Sequence, residues 1–142
     1  MPVEYPVGVY EISRITNPSL LNEITKAGED IQSLIQKFSE EENIQYLIVI
    51  EGQASKDNYH IDDCLNNNVL SYLRALKLKE YWDSKGIQLD KLKNCEILVS
   101  GSGEGGVPRE IKHEKANQRF LIHIIPKTGV IEKKITKLES GL

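Results

Sequence analysis

The sequence is short of what a membrane span, a disulfide framework or a nucleic-acid surface requires. Its longest apolar runs, 46–50 and 120–125 with His123 inside the second, are strand-sized and far from the roughly 20 residues of a spanning helix. Two cysteines, Cys64 and Cys95, exclude a disulfide-dense scaffold. Eighteen basic residues scattered along a chain of net charge -3 do not make a surface that neutralises many phosphates, so nucleic acid is not an expected partner. The opening Met1-Pro2-Val3-Glu4-Tyr5 shows no basic patch followed by an apolar stretch and a small-residue cleavage site, so no export signal is visible. What remains is ordinary: 142 residues, 39% hydrophobic and 27% charged, the size and composition of one soluble globular domain with a single core. That core is expected over about 7–126, with a polar tail at 127–142 that forms a short helix or frays.

Along the chain, 7–13 suits a short strand. Asn17-Pro18 reads as a cap with proline in the first turn, and Leu20, Ile24, Ala27, Ile31, Leu34, Ile35 and Phe38 then recur at helical spacing, giving an amphipathic helix over 18–41. Gly28 inside it implies close packing rather than a break, since glycine costs about 1 kcal/mol there relative to alanine. The β-rich run 46–51 ends at Gly52 and suits a strand covered on both faces. A polar loop follows to 67. Helical patterning runs from Val69 to Lys85, where Gly86 supplies a left-handed stop. Strands are expected at 96–100 and 119–125, the second closed by Pro126, with a glycine-rich loop at 101–107. The order predicts one mixed α/β sheet with two helices on one face, the second helix joining parallel neighbours.

The string Asn67-Asn68-Val69-Leu70-Ser71-Tyr72-Leu73-Arg74-Ala75 resembles the Asn-x-x-Leu-Ser-x-x-Arg-Ala signature of OmpA-like, peptidoglycan-associating domains. The likeness continues through Leu78, Tyr81, Ser84, Lys85, Gly86 and Ile87. Gly52 fits the family's strand-end glycine, Gly101-Ser102-Gly103-Glu104 with Pro108 its Gly-x-Gly-Glu loop, and Asn117-Gln118-Arg119 its Asn-Arg-Arg before the last strand. The resemblance covers about 48–125. It implies an α+β sandwich with a mixed four-stranded sheet and two main helices on one face. It also implies a non-catalytic role: holding a host protein to the bacterial cell wall, in the periplasm or at the outer membrane, by binding the diaminopimelate of the peptidoglycan stem peptide. Such domains terminate porins, wall-attached lipoproteins and motor stators, and export or anchoring would come from a segment not in this chain. Arg74, Asn67 and Leu70 fall at the ligand. A guanidinium near a helix start can grip a carboxylate with two parallel bonds, and Asn67, at the cap position, can order the loop.

Two departures stand out. Where the family has Gly-His-Thr-Asp, this chain has Gly52-Gln53-Ala54-Ser55, and Ser55 cannot supply the negative charge that would meet an ammonium. The following loop is about four residues longer than usual and carries Asp57, Asp62 and Asp63. Either Asp57 substitutes, or the ammonium preference is lost and the module keeps the fold as a protein-interaction domain. The connection between Ile87 and Gly101 is also about five residues longer than the family's.

Other patterns have plainer readings. Gly101-x-Gly-x-x-Gly-106 follows a strand, but too late in the chain for a dinucleotide fold. His60, Asp62, Asp63 and Cys64 lack metal-ligand spacing, and His113 and His123 have no nucleophile elbow with them. No cofactor, metal or catalytic residue is expected. Cys64 and Cys95 fall at opposite ends of a helix of about 25 Å, beyond the reach of a disulfide, so two free thiols are expected. The second helix carries two apolar stripes. Ala75, Leu78 and Trp82 suit the sheet; Val69, Leu73 and Leu76 need a cover, either the tail 130–142 or the first helix, or else a homodimer or partner contact.

Overall fold

The computed structural model describes residues 10–42, 44–54, 60–62, 65–103 and 119–127 of the 142. Helix α1 (Pro18–Glu42) starts as expected: Asn17 Oδ1 accepts from Ser19 N at 3.0 Å and Asn17 O from Leu21 N at 3.2 Å. Strand β1 (Gln45–Gln53) leads into a short antiparallel ribbon, β2 (His60–Asp62) and β3 (Leu65–Asn66), then helix α2 (Asn67–Ser84), strand β4 (Cys95–Gly101) and strand β5 (Arg119–Lys127). The main sheet has the order β4-β1-β5, with β1 parallel to β4 and antiparallel to β5. The β1-α2-β4 crossover between parallel neighbours is the expected one.

The helices lie on one face of this sheet. Tyr46, Ile48 and Ile50 of β1 and Phe120 of β5 are buried there with Ile24 and Ile35 of α1 and Ala75, Leu78 and Trp82 of α2. Trp82 ties the helices together. Its indole Nε1 donates to Ile24 O at 2.9 Å, and the ring lies on Gly28, where a Cβ would stand 2.6 Å from Nε1. The mid-helix glycine is therefore a packing site for the indole. Helix α2 ends at Gly86, φ +79°, with Gly86 N bonded to Asp83 O and buried Ile87 N to Trp82 O, so the last carbonyls are satisfied.

Several expectations need correction. Among the described residues the main sheet has three strands, not four. Of the first expected strand, 7–13, residues 10–13 are described, and they lead into a 3-10 turn, Ile12–Arg14, instead. Ile12 and Ile15 are both buried; three residues apart, they would face opposite sides of a strand but share one side of a turn. The expected loop before α2 contains the β2-β3 ribbon. Pro126 does not close β5, which runs to Lys127 with Pro126 opposite Tyr46; β5 borders the sheet among the described residues, and an edge strand tolerates a missing N–H. β1 is covered fully on one face only, since its residues alternate between buried and half-buried. Cys95 is a free thiol, and Cys64 lies outside the described residues. Burial, and after it the Asp90 and Glu96 carboxylates, push the Cys95 thiol up to about 11.

Gly28→Ala tests the helix junction. Alanine is the better helix former by about 1 kcal/mol, yet its methyl must displace a buried, hydrogen-bonded indole, so a net loss of about 1–3 kcal/mol is expected in urea denaturation. A gain in stability would show that the indole moves aside freely.

Candidate functional site

Strands β1 and β4 end beside the first two turns of α2, and the approach is too close for side chains. A Cβ on Gly52 would overlap Ser71 O, and one on Gly101 would overlap Tyr72 N. Gly103, at φ +57°, sits against Asn68, leaving no room for a Cβ. Ser71, fully buried, pins the junction: its Oγ donates to Asn68 O and accepts from Gly103 N, both at 2.8 Å. Ser102 N and Oγ both donate to Gly52 O, and Ala54 N donates to Gly103 O at 2.8 Å. The described glycines of the glycine-rich loop are thus taken up by packing against α2.

The helix cap differs from expectation by one residue. Asn66, not Asn67, caps α2, its Oδ1 accepting from Asn68 N at 3.0 Å and Val69 N at 3.1 Å. Those amides are already engaged, so an anion arriving here meets the helix dipole and side chains more than open backbone donors. Asn67, the first helical residue, turns inward and is 8% exposed; its Oδ1 accepts no hydrogen bond among the described residues, although the residue is engaged elsewhere.

The inward face of α2 changes character along its length. Asn67, Leu70, Ser71 and Arg74 are buried in its first half and Ala75, Leu78 and Trp82 in its second. Arg74 is only 2% exposed and has interactions of its own, so it is not a surface ion pair. Burying a guanidinium is unfavourable unless it is paired and hydrogen-bonded. A second arginine stands at the same end of the sheet. Arg119 opposes Gln53 in the β1-β5 register, and its Nε donates to Oε1 of fully buried Gln53 at 2.7 Å.

The structure thus brings Arg74, Asn67 and Leu70 onto one buried face, whereas Ser55 and Asp57 lie outside the described residues. The Ser71–Gly103 bond and the Gln53–Arg119 pair escaped the sequence reading. The motif marks Ser71 and Arg119, but only the strand register reveals their partners. Val69, Leu73 and Leu76 are half-buried. Of His60, Asp62, Asp63 and Cys64, the last two lie outside the described residues, among which no group of metal-ligating residues occurs.

The fold is a mixed α/β arrangement with two helices on one face of the sheet. No family model and no curated protein matches the sequence, but solved structures share its fold. The C-terminal domain of Helicobacter pylori MotB aligns over 100% of this chain and 98% of its own, with TM-score 0.60 and 15% identity. Two longer periplasmic fragments of the same protein give TM-scores of 0.61 and 0.62 at 15% and 14% identity, covering 99% and 96% of this chain and 87% and 80% of theirs. At such identity the likeness is one of fold.

Ser71→Ala leaves the Gly103 N–H buried without its acceptor. A loss of about 1–3 kcal/mol is expected, with faster hydrogen exchange at the Gly103 amide; an unchanged denaturation midpoint would mean that the junction does not depend on this bond.

Proposed function

We propose that this chain is a non-catalytic peptidoglycan-binding domain that takes the stem peptide at the β1-α2 end and anchors a larger protein or complex to the bacterial cell wall. The observation that supports this most is Arg74: a buried guanidinium on the very string that resembles the OmpA-like signature, in a fold shared with the periplasmic domain of MotB. The outer end of a diaminopimelate side chain carries a carboxylate and an ammonium. Arg74 takes the carboxylate, with Asn67 and Leu70 beside it on the same helix face. The ammonium needs an acid, and with Ser55 in the family's aspartate position, Asp57 is assigned that role. Binding of this kind requires no nucleophile, base or metal. The MotB fragments are named as periplasmic, which supports a periplasmic location and gives no support to an outer-membrane one. Ser55 also favours a second reading, a protein-interaction module that keeps the fold without the ligand.

Sedimentation with insoluble peptidoglycan separates the two. The native chain is expected to pellet with diaminopimelate-type wall and not with lysine-type wall, whose side chain lacks the carboxylate. Arg74→Ala, checked for folding by circular dichroism, is expected to bind at least about tenfold more weakly, as the loss of a charged hydrogen-bond pair implies. Asp57→Ala should also lose affinity. A native chain that pellets with neither wall would establish the interaction module instead.

A further inference from the structure

Among the described residues Tyr72 is the only exposed aromatic, at 42%, and Asn68, one turn before it on the same side of α2, is exposed as well. A single exposed aromatic is ordinary on a folded surface. This one has a firm seat. Its backbone N lies where a Cβ on Gly101 would stand, the preceding Ser71 is bonded to Asn68 O and Gly103 N at 2.8 Å, and the Asn68 side chain lies against Gly103. Neither the Asn68 carboxamide nor the Tyr72 hydroxyl makes a hydrogen bond among the described residues. The pair is a rigid ledge that offers an apolar ring, a hydroxyl and a carboxamide, all neutral.

Tyr72 stands across the helix from Arg74. Two residues apart at ~100° each, the two side chains leave the axis about 200° apart, across a helix that is about 10–12 Å wide with its side chains. Arg74 is buried in the domain and Tyr72 is open. In peptidoglycan the stem peptide is joined through a lactyl group to an N-acetylated amino sugar, and two residues lie between that link and the diaminopimelate. Those residues span about 7 Å when extended at ~3.5 Å each, and the lactyl link extends the reach further. A stem peptide held by its diaminopimelate at Arg74 can therefore cross the start of α2 and bring its sugar to Tyr72. We propose that Asn68 and Tyr72 form a subsite for this amino sugar, with the C–H face of the sugar ring on the tyrosine and its acetamido group bonded to the Asn68 carboxamide. The sugar matches the ledge in chemistry: it has an apolar face, hydroxyls and an amide, and its lactyl carboxylate is consumed in the link to the peptide. This inference rests on the wall-binding reading and extends it from the peptide to the glycan.

Two soluble probes test it in the full chain: a diaminopimelate stem peptide without sugar, and the same peptide carried on its amino-sugar disaccharide. The native chain is expected to bind the sugar-bearing probe about threefold to tenfold more tightly, the range that one well-placed aromatic contact supplies. Tyr72→Ala, checked for folding by circular dichroism, is expected to lose that advantage while binding the sugar-free peptide as the native chain does, and Tyr72→Phe to keep most of it. Equal native affinities for the two probes would overturn the proposal and leave the wall-binding reading standing. So would an advantage that survives in Tyr72→Ala, or a Tyr72→Ala variant that loses the sugar-free peptide as well. A native chain that binds neither probe would overturn both.

Discussion

The close approach of α2 to the ends of β1 and β4 is the constraint on which the rest of the arrangement depends. Gly52, Gly101 and Gly103 have no Cβ because the helix backbone and Asn68 occupy the space where one would be. The Ser71 hydroxyl then bridges helix and loop with two hydrogen bonds of 2.8 Å. At ordinary helix–sheet separation, side chains fill the gap. Here backbone meets backbone, and the first two turns of α2 are drawn into the domain with polar residues on their inward face.

That geometry explains how one helix serves two purposes. Its second half is conventional core, with Ala75, Leu78 and Trp82 sealed against the sheet and α1. Its first half carries Asn67, Ser71 and Arg74 into the same buried layer. Stability alone gives no reason to put a guanidinium there, because an apolar side chain of similar volume is often as good or better. Arg119, steered by the Gln53 carboxamide, adds a second positive group at the same end. The Trp82 anchor, locked onto Gly28 and Ile24 O, holds the far end of α2 so that its polar start is presented from a rigid support.

Much of this was legible in the sequence, for identifiable reasons. The spacing of Leu20, Ile24, Ile31 and Ile35 marks α1 because a long amphipathic stripe overrides local ambiguity, and the apolar runs at β1, β4 and β5 are strand-like in both length and composition. The motif string located Arg74 and the glycines. Offsets of a single residue were harder. Asn66, Asn67 and Asn68 are chemically equivalent as caps, and only the ribbon that ends at Asn66 decides among them. The Ile12–Arg14 turn depends on which side Ile12 and Ile15 must share, a tertiary fact. Cross-strand partners such as Gln53 and Arg119 are 66 residues apart and meet only through the β1-β5 register. The Ser55 replacement was plain in the sequence, but whether Asp57 takes its place depends on a loop outside the described residues.

We propose that the Arg74 end of α2 is a carboxylate-binding site for the stem peptide. The most direct test is a titration of the isotopically labelled chain with a soluble diaminopimelate-containing stem peptide, followed by amide chemical shifts. Saturable shifts grouped at 52–54, 66–75 and 101–103, together with the Arg74 side-chain resonance and absent for a peptide amidated at the diaminopimelate side-chain carboxylate, are the predicted result. Shifts confined to the Gly86 end of the helix, or none at millimolar peptide, would contradict the claim.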